Sequence, residues 1–269
     1  MMEIGDGRGV LYPARLPRFL RLPPPKSLAE QVGWFWVVRW QIASGKTSRQ
    51  ELLPFPMMNL VIQSNGVSLS GPTTGASHRE LRESGWAVAA LVLPAAARAF
   101  VHEPRDLLDR EVDMDMPQLH GHISSLMDST GHNPEMAATQ VLSLGLRRIL
   151  PQPEEQGLLA NRLLETINES RDLVRVEDLA AALNLSVRSV QRLALKYLGL
   201  SPLTLIRRYR LLEAAQRLRE ALSLSIVQLA AELQYTDQAH LSADFRKVLG
   251  FTPSCYRRQS SAVHPPIGD

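Results

Sequence analysis

Histidine and cysteine are the side chains best suited to building a metal or nucleophile site, and this sequence arranges them poorly for either. His120 and His122 stand two apart, a spacing that diverges on a helix and shares one face on a strand, while His78, His102 and His132 are scattered. They form no ligand set. The single cysteine, Cys255, excludes an intramolecular disulfide and a zinc site made mainly of thiolates, which suits a reducing cytoplasm. Neither a glycine-rich phosphate loop nor a nucleophile motif is present. The sequence therefore predicts no enzyme chemistry, no metal and no cofactor.

Arginine and lysine offer a different chemistry, attraction to a polyanion, and they are unevenly placed. Residues 175–258 hold 13 Lys and Arg against 7 Asp and Glu, a net +6, while the remainder holds 17 against 20, a net −3. The basic excess is confined to the C-terminal third, where an anionic partner would be drawn. Charge alone fits a solvated basic surface equally well.

The elements that position those charges follow from an internal repeat. Asp178-Leu179-Ala180-Ala181-Ala182-Leu183 returns fifty residues later as Gln228-Leu229-Ala230-Ala231-Glu232-Leu233, and Leu185 then matches Tyr235. After one inserted residue, Lys196-Tyr197-Leu198-Gly199-Leu200-Ser201-Pro202 matches Lys247-Val248-Leu249-Gly250-Phe251-Thr252-Pro253. Each copy reads as helix, tight turn, helix. In the second, Ile226, Leu229, Ala230 and Leu233 fall at i, i+3, i+4 and i+7, with Leu241, Phe245, Val248 and Leu249 after the turn. In the first, Leu179, Ala180 and Leu183 precede the turn, and Val187, Val190, Ala194 and Tyr197 follow it.

Punctuation agrees with the periodicity. Ser186 and Asp237 are N-cap residues for the second helix of each copy, because a side-chain oxygen there accepts from a free backbone N–H. Gly199 and Gly250 end those helices, with Leu200 and Phe251 as the apolar partners of a C-terminal glycine motif. Ser201-Pro202 and Thr252-Pro253 open new helices as cap and first-turn proline. A continuous helix over 202–221, with Leu203, Ile206, Tyr209, Leu212 and Leu218 among its apolar positions, joins the copies; at 1.5 Å per residue it is roughly 30 Å long, near the ~34 Å of one DNA turn. A helical solenoid is the alternative, but solenoids need three or more stacked repeats and this chain has two.

These features make the C-terminal third resemble the AraC family of bacterial transcription regulators. The resemblance is carried by Tyr235-Thr236-Asp237-Gln238-Ala239-His240-Leu241 and Phe251-Thr252-Pro253-Ser254-Cys255-Tyr256-Arg257, by Ser186-Val187-Arg188-Ser189-Val190-Gln191-Arg192, and by residues 210–215 of the joining helix. It implies two helix-turn-helix units whose recognition helices enter successive major-groove segments of double-stranded DNA. By that resemblance the base-reading candidates are Arg188, Ser189, Gln191 and Arg192 in the first unit, and Gln238, Ala239, His240, Ser242 and Ala243 in the second. Arginine pairs bidentately with guanine and glutamine with adenine, each worth about 1–3 kcal/mol of discrimination. Arg207, Arg208, Lys247, Arg257 and Arg258 are candidates for phosphate contact, which anchors without reading sequence.

Three positions depart from the family pattern. Ala243 stands opposite Arg192, where a basic residue is usual, so the first unit is expected to dominate specificity. Gln234 replaces a usual turn glycine, at a cost on the order of 1–2 kcal/mol, whereas its counterpart Asn184 tolerates the left-handed conformation better. Ala194 replaces a usual aromatic, present as Phe245 in the other unit, so the first unit is expected to have a lighter core.

The N-terminal part is a different kind of chain. Residues 33–38, 59–63, 67–69 and 87–92 read as short strands, Asn65-Gly66 is a hairpin signal, and Pro23-Pro24-Pro25 leads in. A small β-barrel or sandwich-like domain is expected. The Trp34 segment, Leu53-Pro54 and the Gly71-Pro72 turn resemble the β-rich N-terminal domain of one branch of the same family, which implies effector binding or dimerisation. Trp34, Trp36 and Trp86, with Trp40, are candidates to line an effector pocket, although aromatic residues on strands more often form core.

From 116 to 170 helical patterns dominate, interrupted at Pro134 and at Pro151-Gln152-Pro153, with apolar faces at Leu142, Leu146, Ile149 and Leu150 and at Leu158, Leu159, Leu163, Leu164 and Ile167. The fold class is thus α+β, with a β-rich regulatory domain over 1–115, a helical linker over 116–171 that either couples the domains, forms a dimer contact or simply packs on the barrel, an all-α DNA-binding domain over 172–258, and a flexible tail over 259–269. Residues 1–10 carry Glu3 and Asp6 with no apolar core, unlike a signal peptide, and the longest apolar stretch, 86–97, contains Pro94 and is too short for a bilayer. A cytoplasmic, nucleoid-associated protein without membrane contact is expected. Expected partners are DNA and, by the resemblance, a small-molecule effector, RNA polymerase and a second copy of the chain. Two functional readings stay open, a regulator gated by its N-terminal domain and an effector-independent regulator whose N-terminal domain only assembles subunits or contacts a protein.

Overall fold

The computed structural model describes residues 18–52, 55–129, 132–170, 173–221 and 223–261. Leu53-Pro54 and the tail beyond residue 261 lie outside the described residues. Among the described residues, eight strands make up most of the N-terminal part: β1 (Arg18–Leu22), β2 (Val32–Gln41), β3 (Thr47–Leu52), β4 (Met58–Gln63), β5 (Gly66–Ser70), β6 (Ser77–Arg82), β7 (Ser84–Val92) and β8 (Glu111–Asp113). Six form an antiparallel sheet in the order β1-β2-β7-β4-β5-β8, and β3 pairs with β6 in a separate two-stranded ribbon. The expected sandwich-like arrangement is realised as this sheet and ribbon. Pairing of Gln63 with Gly66 leaves Ser64 and Asn65 as the hairpin link, and Gly66 enters β5 at φ +149, a region that favours glycine.

Strand β7 is central and buried on both faces, which explains its run of small and branched apolar residues from Ala87 to Val92. One face is covered by α2 (Pro117–Met127) and α3 (Pro134–Ile149), whose Ile123, Met127, Leu142 and Leu146 pack with Phe35, Leu60, Ile62 and Val88. Trp86 belongs to this helix-covered face. It is 4% exposed, and its Nε1–H donates to Asp128 at 2.8 Å. It is therefore core, and the expectation that it lines a pocket is corrected. Ile149, expected on the apolar face of α3, stands exposed.

The short α1 (Pro94–Phe100) leads from β7 to a 3-10 turn at Pro104–Leu107. Helix α4 (Glu155–Glu169) follows α3, then α5 (Val176–Ala182), α6 (Val187–Leu198), α7 (Pro202–Glu220), α8 (Ile226–Glu232), α9 (Gln238–Leu249) and α10 (Pro253–Ser261). α5 with α6 and α8 with α9 are the two helix-turn-helix units, and α7 joins them. The repeat extends to the hydrogen bonds. Leu185 N–H donates to Ala180 O and Tyr235 N–H to Ala230 O, each at 2.9 Å, while the turn residues Asn184 and Gln234 take φ +53 and +55. Two different residues thus adopt the one left-handed conformation that the turn demands.

Two cores hold the units. Leu163, Leu164 and Ile167 of α4 pack with Leu179, Val190, Ala194 and Tyr197 of the first, together with Leu91 of β7 and Met57 just before β4. The second encloses Leu229, Leu233, Leu241, Phe245 and Tyr256 with Leu211, Ala215 and Leu218 of α7. Among the described residues, no helix is long and apolar enough to cross a membrane.

Candidate nucleic-acid interface

The second helices of the two units, α6 and α9, are the candidate recognition helices, each held by the cap that its sequence implies. Ser189 N–H donates to Ser186 Oγ at 3.1 Å and His240 N–H to Asp237 Oδ1 at 2.7 Å, while Gly199 and Gly250 close the helices at φ +69 and +83. The α7 and α10 starts are capped likewise, by Ser201 Oγ accepting from Thr204 N–H and Thr252 Oγ1 from Cys255 N–H.

Val190, Leu193 and Ala194 turn inward from α6, so Arg188, Gln191 and Arg192 are exposed on its outer side. Ser189 is half-buried, and its hydroxyl receives a hydrogen bond from Ser186. On α9, Leu241 and Phe245 turn inward, leaving Gln238, Ala239, His240 and Ala243 exposed and Ser242 half-buried. His240 is engaged locally. Its ring stands edge-on to Tyr235 with centroids 5.1 Å apart, and its Nδ1 is 3.3 Å from Thr236 Oγ1. The first helix therefore presents two guanidinium groups and an amide, and the second one amide and one imidazole.

The phosphate candidates divide. Arg207, Lys247 and Arg258 are exposed. Arg257 is half-buried and donates to Leu224 O at 2.8 Å, ending the turn before α8. Arg208 is 3% exposed, so it cannot reach a phosphate from this arrangement, and that expectation is corrected. Burial pulls its pKa down to about 10, against the opposing charge of Asp109. Adjacent positions on a helix point about 100° apart, so one arginine of the pair faces water and its neighbour the packed side.

Sequence reasoning passed over two cations. Arg246 is exposed beside Lys247. Arg210 of α7 donates through Nε to Leu233 O at 3.0 Å and lies over the Tyr235 ring at 4.1 Å. It fastens the turn of the second unit to the joining helix, and burial lowers its pKa. The sign in the sequence was an aromatic residue directly after the turn, where the first unit has Leu185.

A second feature lies between the six-stranded sheet and the β3–β6 ribbon, a cavity of about 300 Å³. Phe19, Trp34, Trp36, Leu52 and Met57 give it an apolar lining, with Arg21, Gln50 and Arg79 as polar groups. Trp34 and Trp36 line it as expected from the sequence, Trp40 does so as well, and Trp86 does not. Trp36 Nε1–H donates to Asn59 at 3.0 Å, and the Arg21 guanidinium is 4.1 Å from the Trp34 ring centroid. An apolar chamber with a few fixed polar groups has the make-up of a small-molecule site. His120 and His122 fall on α2, where two-residue spacing separates them, and His120 Nε2 is 2.9 Å from Gln63 O. Among the described residues, no group of three His, Cys, Asp or Glu is placed to hold a metal ion.

Comparison with known proteins adds the following. Residues 179–259 match a family model described as a helix-turn-helix domain, and residues 20–113 match a domain of unknown function (DUF6597). The HTH-type transcriptional regulator GbdR of Pseudomonas aeruginosa (strain UCBPP-PA14) is 32% identical over 117 residues, which are 43% of this chain and 30% of GbdR. The chain thus spans under a third of the length of that curated relative. Among solved structures, the C-terminal domain of AraT, a response regulator from Geobacillus stearothermophilus, is 27% identical, with 43% of this chain and 95% of that one covered and a TM-score of 0.38. Unsaturated fatty acid bound wild-type ToxT from Vibrio cholerae strain SCE256 is 12% identical, with 86% and 98% covered and a TM-score of 0.43.

Proposed function

We propose that the chain is an AraC-type transcription regulator, a sequence-specific DNA-binding protein whose activity is gated by a small effector in the N-terminal cavity, a reading that the helix-turn-helix match over residues 179–259 and the likeness to GbdR support. The observation that carries the DNA-binding reading is the paired geometry of α6 and α9. Both are capped, both follow the same left-handed turn, and both expose polar side chains on the first two turns. A helix held in that way places its N-terminal side chains at base edges, while exposed cations such as Arg207, Lys247 and Arg258 meet phosphates. The basic excess of the C-terminal third supports the same reading.

The gating reading is supported by the cavity and its apolar, partly cationic lining. A footprint on the region upstream of the protein's own gene, repeated with and without a metabolite pool, tests both parts. Protection of two segments about one helical turn apart is expected. Absence of any protected segment would defeat the DNA-binding reading, and protection that no metabolite changes would defeat the gating reading alone. The effector-independent alternative has one observation behind it, since Met136 and Leu144 of α3 stand 43% and 52% exposed, as residues at a subunit contact would in a lone chain.

A further inference from the structure

The segment from Gly71 to Ser77 has two working sides. Gly71, Thr73 and Ser77 line the cavity, and so does Phe55, which exchanges two hydrogen bonds with Thr73: Phe55 N–H to Thr73 Oγ1 at 3.0 Å and Thr73 N–H to Phe55 O at 3.1 Å. On the other side, Ala76 N–H donates to Val248 O at 2.7 Å. Val248 is in the last turn of α9, where carbonyls have no partner within the helix, so a donor from outside satisfies it. Phe55 packs against the cores of both helix-turn-helix units. The wall of the cavity is therefore also a strap on the second recognition helix.

Asp109 holds the strap in place. Its carboxylate accepts from both the N–H and the hydroxyl of Thr74, and its own N–H donates to Pro72 O at 3.0 Å. To do so it takes φ +56, a conformation that few residues other than glycine adopt readily. Arg208 on α7 makes a competing demand. At 3% exposure its Nη1 and Nη2 are buried with no hydrogen-bond acceptor among the described residues; Leu108, the neighbour of Asp109, packs in one core with Leu205 and Ile206 of α7, and Asp109 is the carboxylate whose charge acts on the guanidinium. A buried guanidinium without acceptors is costly, and a carboxylate is the partner that would relieve it.

We propose that Asp109 is a two-position switch on the second helix-turn-helix unit: bonded to Thr74 it keeps the 71–77 strap on α9, and drawn to Arg208 it lets the strap go. A ligand in the cavity presses on Phe55 and Thr73 and so selects between the positions, a clause that rests on the gating reading above. The first unit is not subject to this switch. Its α6 is fixed to the start of α4 by Tyr197 O–H donating to Glu154 at 2.9 Å, and to the N-terminal part by Gly199 packed on the backbone of Pro104 and Arg105.

Amide exchange at Ala76 in the full chain, without DNA or effector, reads the strap directly, because exchange reports the opening equilibrium even when the open form is rare. Arg208→Met removes the competing partner and is expected to slow Ala76 exchange about tenfold, within the usual range of coupling between sites, and Asp109→Ala to speed it by a similar factor. Unchanged or faster exchange in Arg208→Met overturns the proposal. A second measurement covers the case in which either variant folds poorly. A Cβ at Gly75 would lie 3.6 Å from the Val248 carbonyl oxygen, which puts residue 75 beside the last turn of α9, so a Gly75→Cys, Val248→Cys pair on a Cys255→Ser background, its closure checked by loss of free thiol, is used to lock the strap down. On a duplex selected from a random pool by the reduced protein, oxidation should abolish protection of one half-site, and a reductant should restore it. Equal protection of both halves by the locked protein also overturns the switch. Neither measurement involves an effector, so their failure is distinct from a failure of the gating reading.

Discussion

The guanidinium of Arg210 lies over the ring of Tyr235, 4.1 Å from its centroid, and the same side chain donates to the carbonyl of Leu233. One residue of the joining helix thus grips both sides of the turn in the second unit. Arg210→Met keeps the aliphatic stem and removes both interactions, so the second unit should lose about 1–3 kcal/mol. Hydrogen exchange should rise in α8 and α9 and stay unchanged in α5 and α6. A uniform rise over both units would show that Arg210 does not act locally.

Tyr235 gives a pH signature to the same place. It is 5% exposed, its hydroxyl has no hydrogen-bond partner among the described residues, and burial is the largest of the influences that push its pKa up to about 12 from an ordinary 10.0. The folded state keeps a proton that the unfolded chain releases, so this contribution is complete below pH 10 and is lost as pH climbs to about 12. The loss at the upper end is on the order of 2–3 kcal/mol. Tyr235→Phe should flatten the stability curve in that window and cost little at neutral pH, because the deleted hydroxyl satisfies nothing. Denaturant titrations at pH 8, 10 and about 11.5 would reveal a wild-type decline that is shallower in the variant, the remainder coming from groups such as Tyr197, whose pKa burial also raises.

What was legible in the sequence follows from what local chemistry determines. Left-handed turns, serine and aspartate caps and the closing glycines depend on a few neighbouring residues, so both helix-turn-helix units could be placed from spacing alone. Strands β3 and β6 could not. Their sequences, Thr47-Ser48-Arg49-Gln50-Glu51-Leu52 and Ser77-His78-Arg79-Glu80-Leu81-Arg82, are mostly polar, and they form a ribbon over a cavity rather than over a dense core. Trp86 was misjudged for a reason of parity. It pairs with Arg39, whereas Trp36 pairs with Ala89, and with both faces of the sheet covered nothing local says which parity meets the cavity. Arg208 was misjudged similarly, since only the packing of α7 decides which of two adjacent arginines is buried.

On the proposed DNA-binding reading, exposure orders the candidate contacts. Arg192→Ala should cost about 1–3 kcal/mol on a specific duplex and little on a random one, because a base contact carries sequence information. Arg258→Ala should weaken both alike and lower the salt slope by about 1, as one phosphate contact does. With Ala243 and a locally engaged His240 in α9, base substitutions in the half-site of the first unit should hurt binding more than those in the other half. Equal sensitivity of the two half-sites would contradict that order.

The closing glycines of the two recognition helices allow a comparison that separates conformation from packing. Gly199 and Gly250 share the left-handed conformation, at φ +69 and +83, so alanine at either strains the backbone by about 1–2 kcal/mol. Their surroundings differ. A Cβ at Gly250 meets nothing within 4 Å, whereas one at Gly199 would stand 2.6 Å from the backbone N of Arg105, too close without a shift of the 3-10 turn beneath α6. Gly199→Ala should therefore lose more than about 3 kcal/mol, in the range of core overpacking, and Gly250→Ala only the conformational part. The reverse exchange at a turn, Gln234→Gly, should add stability of about 1 kcal/mol, because φ +55 suits glycine without strain. Urea unfolding of the three variants measures all of this, and equal losses for the two alanines would mean that α6 is not seated on the N-terminal part as described.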